Sequence, residues 1–103
     1  AVMYMAETKL AELDKAWKHM PAHAGEKKSL PAMINASALL PAKRDHYRFT
    51  GSLTTPPCSE GVRWLVMKTY KEISTQQIEA FTKVVHHPNN RPVQPINARA
   101  VLK

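Results

Sequence analysis

The double proline in Gly51-Ser52-Leu53-Thr54-Thr55-Pro56-Pro57-Cys58 limits what this chain can fold into more than any other feature. Each ring fixes its own φ, and each disfavours the helical region for the residue before it. Thr55 and Pro56 are therefore predicted to be extended, and no helix can run through them. A stiff segment of that kind holds a hydroxyl and a free backbone N–H at a fixed place, which is what a site needs to steer a small polar reactant. The run Val62-Arg63-Trp64-Leu65-Val66-Met67 follows. Period-2 alternation puts Val62, Trp64 and Val66 on one face and Arg63, Leu65 and Met67 on the other. Apolar residues on both faces predict a strand inside a sheet.

Elsewhere the pattern alternates between short strands and helices. Ala1-Val2-Met3-Tyr4-Met5 reads as a buried strand cut in mid-protein. Leu10, Leu13, Trp17 and Met20 recur at helical spacing, with Thr8 as cap and Pro21 as stop. Residues 21–29 form a polar connector, residues 30–41 are mixed and apolar, and Arg44-Asp45 gives a turn. Tyr47 to Thr54 is predicted extended, with Tyr47 and Phe49 facing one way. Ser74-Thr75-Gln76-Gln77 fits a capping box and starts a helix that turns Ile78, Phe81 and Val85 inward. His86 to Asn90 ends that helix. Pro92 and Pro95 keep residues 91–95 extended, and Ala98 to Leu102 reads as a closing strand.

A chain of 103 residues is one domain or a piece of one. No apolar run reaches bilayer length, so no membrane partner is expected. The formal charge of +7 keeps a small basic nucleic-acid-binding domain in view. However, the lysines and arginines form no tract and do not interleave with aromatics, so the charge reads as solvated surface and no nucleic acid is expected. The five histidines, His19, His23, His46, His86 and His87, show no His-x-His pair, and no residue is assigned as a metal ligand. The single cysteine, Cys58, reads alone as a small buried hydrophobe.

Tyr47-Arg48-Phe49-Thr50-Gly51-Ser52-Leu53-Thr54-Thr55-Pro56-Pro57-Cys58-Ser59-Glu60-Gly61-Val62-Arg63-Trp64 resembles the active-site segment of the α-class carbonic anhydrases in their bacterial form. Asn89-Asn90-Arg91-Pro92-Val93-Gln94-Pro95, with Asn97 and Arg99, resembles the segment near that family's C-terminus, although Asn90 stands where many members have tryptophan. The resemblance covers the chain from end to end but only the last part of a complete member.

The resemblance implies a fold that is mainly β with short surface helices. Residues 1–103 would be the C-terminal part of a single domain built on a large, twisted, mostly antiparallel sheet. The implied reaction is the reversible hydration of carbon dioxide to bicarbonate and a proton, with zinc as cofactor. The three zinc-ligand histidines would lie upstream, in the missing N-terminal part of the domain, and this chain alone would be inactive and poorly stable. Thr54 would orient the zinc hydroxide, Thr55 would contact bicarbonate, and Leu53, Val62 and Trp64 would form an apolar pocket for carbon dioxide. The backbone carbonyl of Asn89 would hold a ligand histidine in one tautomer, and Arg91 and Arg99 would brace the C-terminal segment. Cys58 would pair with a cysteine outside this chain, which implies a periplasmic or secreted protein. A carbonic-anhydrase-like binding module without catalysis is the alternative.

Overall fold

The computed structural model describes residues 1–103. In chain order the elements are β1 (Tyr4–Ala6), α1 (Ala11–Trp17), a 3-10 turn (Ala36–Leu39), β2 (His46–Ser52), β3 (Glu60–Met67), β4 (Lys71–Ile73) and α2 (Thr75–Val85). The centre is the antiparallel hairpin β2–β3, in register from His46 opposite Met67 to Gly51 opposite Val62. Between Gly51 and Ser52 the register shifts, so that Ser52 faces Glu60 and Gly61 is the extra residue. Gly61 sits at φ +83°, a conformation a side chain would strain, which is why glycine occupies this bulge.

Further chain flanks the hairpin on both sides. Arg48 and Leu102 exchange two backbone hydrogen bonds of 2.8 Å along the free edge of β2. On the other side the Ala1 amino group donates to Leu65 O at 2.6 Å, and Met67 N donates to Ala1 O at 3.0 Å. β3 therefore has one strand partner, β2, and not the two expected of a strand inside a sheet, although Ala1 bonds the C-terminal half of its other edge. Beyond it, β1 and β4 pair in parallel, with Tyr4 opposite Lys71.

The helices pack as a second unit. Ser74 and Gln77 form the expected capping box at the start of α2. Gln77 also reaches the start of α1. Its Nε2 donates to Leu10 O at 2.8 Å, and its Oε1 accepts from Leu10 N and Ser74 N, each at 3.0 Å. That set of bonds lets a polar side chain sit at 4% exposure. Trp17 stacks on Phe81 with ring centroids 5.5 Å apart.

Several local expectations are corrected. Thr8 caps nothing. Helix α1 starts at Ala11 with Leu10 at its N-cap, where no side chain of its own turn can bond the free N–H groups and Gln77 serves instead. The N-terminal strand is shorter than predicted and is exposed, with Met3 at 55% and Met5 at 41%. Ile78 at 38% and Phe81 at 37% are likewise exposed, and the most buried position on α2 is that of Gln77. Residues 98–102 contribute one bridge rather than a strand. Only four of the 103 residues are buried, so the sheet lacks cover over much of its apolar surface. No helix is long and apolar enough to cross a membrane.

Candidate active site

The pairing of Phe49 with Trp64 and of Gly51 with Val62 puts four residues on one face of the hairpin. The Phe49 and Trp64 rings lie 6.5 Å apart at 13°. Trp64 Nε1 donates to Ser52 O at 3.0 Å, which holds the indole flat across Gly51. A Cβ on Gly51 would come to 3.0 Å from Trp64 Cδ1, so any larger residue here would push against the indole.

Arg99 then ties the C-terminal segment over that face. Its guanidinium donates to Thr50 O at 3.1 Å and Pro95 O at 2.9 Å, its Nε donates to Ile96 O at 3.0 Å, and the group stacks over Phe49 at 5.9 Å. The brace expected of Arg99 is present. Arg91 makes no ion pair and stands at the wall of the same space. Between hairpin and segment is an open concavity of about 460 Å³, lined mainly by apolar groups including Phe49, Trp64, Val66, Val93 and Ile96. Thr54 stands on its wall and is exposed.

The loop that carries Thr54 is shaped by both its ends. Leu53 N donates to Ser59 O at 2.9 Å, which extends the hairpin past the bulge. Cys58 N donates to Thr55 O at 2.8 Å across a cis Pro56–Pro57 bond, and Cys58 adopts φ 56°. The two prolines therefore sit in a closed turn, not in the extended run that Thr55 and Pro56 were predicted to form, and the strand ends at Ser52 rather than Thr54.

Of the residues singled out from sequence, the fold brings Thr54 and Trp64 to one concavity. Val62 is half-buried on the face it shares with Trp64 but lies outside the lining. Leu53, at 45% exposure, and Thr55 stand beside Thr54 on the loop, also outside the lining. Asn89 is exposed in the segment after α2 and does not reach the concavity. Cys58 is a free, half-buried thiol. The role of Ser52, whose carbonyl fixes Trp64, escaped the sequence reading. Gly51 carried a usable signal, since glycine inside a strand marks a close approach.

Nothing in the chain gathers a metal-binding set: no three His, Cys, Asp or Glu side chains converge. His23 bonds Glu26 at 2.9 Å, and His86 caps α2 in the left-handed region at φ 64°.

Comparison with known proteins agrees with this geometry. The family model described as eukaryotic-type carbonic anhydrase matches residues 1–103. A carbonic anhydrase of Neisseria gonorrhoeae is 52% identical over 103 residues, covering 100% of this chain and 40% of that protein. One from Pectobacterium atrosepticum is 45% identical over 102 residues, covering 99% of this chain and 42% of its own length. The structure of the α-carbonic anhydrase of Thermovibrio ammonificans, a complex with the inhibitor sulfanilamide, superposes with a TM-score of 0.96 at 53% identity. It covers 99% of this chain and 45% of that one. The chain thus spans less than half the length of each of these relatives.

Proposed function

This chain belongs to the eukaryotic-type, or α-class, carbonic anhydrase family, and we propose that it is the C-terminal part of a zinc-dependent domain that interconverts carbon dioxide and bicarbonate. The observation that carries this reading is that Thr54 and Trp64 both line one apolar concavity. Carbon dioxide has no dipole and gains by leaving water, so an apolar wall suits it. A threonine hydroxyl both donates and accepts. Thr54 Oγ1 accepts the proton of the attacking hydroxide in a hydrogen bond, which leaves an oxygen lone pair aimed at carbon. Thr55, Leu53 and Val62 border this concavity without lining it; in the proposed whole domain Thr55 would meet the bicarbonate oxygens and Leu53 and Val62 would extend the apolar wall.

The chain's own residues do not fit zinc, because no three candidate ligands converge. Zinc held by the whole domain would supply a nucleophilic hydroxide by lowering the pKa of water to about 7, a general property of carbonic anhydrases and not a value inferred from this fold. Its ligands would come from polypeptide outside these 103 residues, which span 40% of the Neisseria gonorrhoeae relative. Asn89 then offers its carbonyl to one ligand histidine. The same reading gives Cys58 a disulfide partner in that polypeptide and places the protein in the periplasm or outside the cell.

The test uses the intact protein that carries this chain, with zinc bound. Thr54→Ala should lower kcat/KM for hydration by about 100-fold, the size seen when one well-placed hydrogen-bonding group is removed, while Thr54→Ser keeps most of the activity. An Ala variant that is folded, zinc-loaded and fully active would sink the assignment. The 103-residue chain alone should show neither turnover nor stoichiometric zinc. An intact protein with no turnover at all would favour the non-catalytic binding module.

A further inference from the structure

Basic residues scattered along the sequence are gathered by the register of the hairpin. Arg48 stands opposite Leu65 and Arg63 opposite Thr50, so the two arginines are diagonal neighbours on the face of β2–β3 turned away from Trp64. Both are exposed. With Arg99 they line a depression of about 520 Å³. Arg48 also borders an adjoining depression of about 380 Å³ with Arg44, Lys68 and Lys103, where Asp45 is the sole acid.

No carboxylate is paired with these cations, because the chain's four ion pairs all lie between Lys9 and Glu26. Lys68 over Tyr47 at 5.1 Å and Arg99 over Phe49 at 5.9 Å sit against rings of the Trp64 face, so on the outer face itself the cations are Arg48 and Arg63. The N–H groups of Arg99 serve backbone carbonyls, so Arg99 adds charge while Arg48 and Arg63 supply the free guanidinium forks. Like charges held together on a stiff hairpin raise the local positive potential, and a bound anion relieves it. Planar forks match the oxygen spacing of phosphate in a way that ammonium groups do not.

We propose that this outer face of the β2–β3 hairpin binds a phosphate-type oxoanion between Arg48 and Arg63. The proposal does not rest on the reading of Thr54, which lines neither depression, although Arg99 borders the Thr54 concavity as well. The oxoanion is either free in solution or carried by a phospholipid headgroup, and the two are separable.

The intact protein that carries this chain is titrated with inorganic phosphate at low ionic strength while backbone amide resonances are followed. Separately, it is sedimented with vesicles of phosphatidylcholine alone and with added phosphatidylglycerol. Saturable shifts at Arg48, Thr50 and Arg63 are expected, weakening as salt is added. Arg48→Gln with Arg63→Gln should reduce affinity at least about tenfold, since two charge-assisted bonds are lost. Arg48→Lys with Arg63→Lys should lose less, and Lys15→Gln should change nothing. Phosphate binding without sedimentation assigns the free ion, and arginine-dependent sedimentation assigns the headgroup. No saturable shifts and no sedimentation, shifts centred on Thr54 instead, or undiminished binding by the glutamine pair would each overturn the proposal.

Discussion

The hairpin β2–β3 and the helical unit around α1 and α2 are held together in different ways. Residues 46–67 rely on a backbone ladder and one indole, Trp64, lying flat on Gly51. The helical unit relies on side chains that bond distant backbone. Gln77 bonds both polar groups of Leu10, and Glu12 Oε1 accepts from Asn35 N at 2.7 Å. Lys71 Nζ donates to Ala38 O at 2.5 Å and Leu40 O at 3.3 Å. The ladder presents the candidate site, and the side-chain stitching anchors β4 and α2 behind it. Each region contains one of the two tryptophans, Trp17 and Trp64, so their indole signals report on the two regions separately.

The sharpest way to break the comparison is Gln77→Leu. It strands Leu10 N, Leu10 O and Ser74 N, and the loss should be about 3 kcal/mol of stability by denaturant titration. The Trp17 signal should shift to lower denaturant ahead of that of Trp64. If both signals move together, the two regions form one cooperative unit and the contrast fails. Gly51→Ala is the reciprocal test. The new methyl meets Trp64 Cδ1 at 3.0 Å and Nε1 at 3.2 Å, so the indole must shift and its bond to Ser52 O must stretch. A cost of about 1–2 kcal/mol is expected, read at Trp64 and not at Trp17. Arg99→Lys should follow at about 1 kcal/mol. A single ammonium cannot reach Thr50, Pro95 and Ile96 carbonyls at once, so protease cleavage within residues 91–98 should quicken.

The same contrast explains how much could be read from the residues alone. Hairpin register follows from alternation, so the face shared by Val62, Trp64 and Val66 was legible, as was the capping box at Ser74 and Gln77. These are local patterns with a fixed period. The role of Gln77 toward Leu10 was not legible, because it spans 67 residues. The exposure of Met3 and Met5 was missed for a related reason: hydrophobicity tells which side chains prefer burial, not whether this chain supplies enough surface to cover them. At the site, Thr54 was legible through its prolines and through family likeness. The turn from Thr55 to Cys58 was not, since two prolines are compatible with both extension and reversal.

The smallest expected effect is one of acidity, and it should fall on the helical unit alone. The Lys15 ammonium, with the Asn35 N–H, holds the Glu12 carboxyl below its ordinary range, and Lys9 with Lys18 does the same for Asp14. Bonds of 2.8 Å to Lys15, 2.9 Å to Lys9 and 3.0 Å to Lys18 make these carboxylates better proton donors folded than unfolded. Their contribution is therefore complete above the unfolded carboxylate range, near pH 4, and is lost as pH falls through the lower folded values. Because the groups are at the surface, added salt should shrink the effect. The Trp17 indole resonance should move on acidification below about pH 4, because Glu12 and Asp14 lie on its own helix. The Trp64 resonance should stay in place through that step, since no ion pair touches β2 or β3. A Trp64 shift of equal size and midpoint would show that acid loosens the hairpin through the helices, and the division between the two regions would then have to be abandoned.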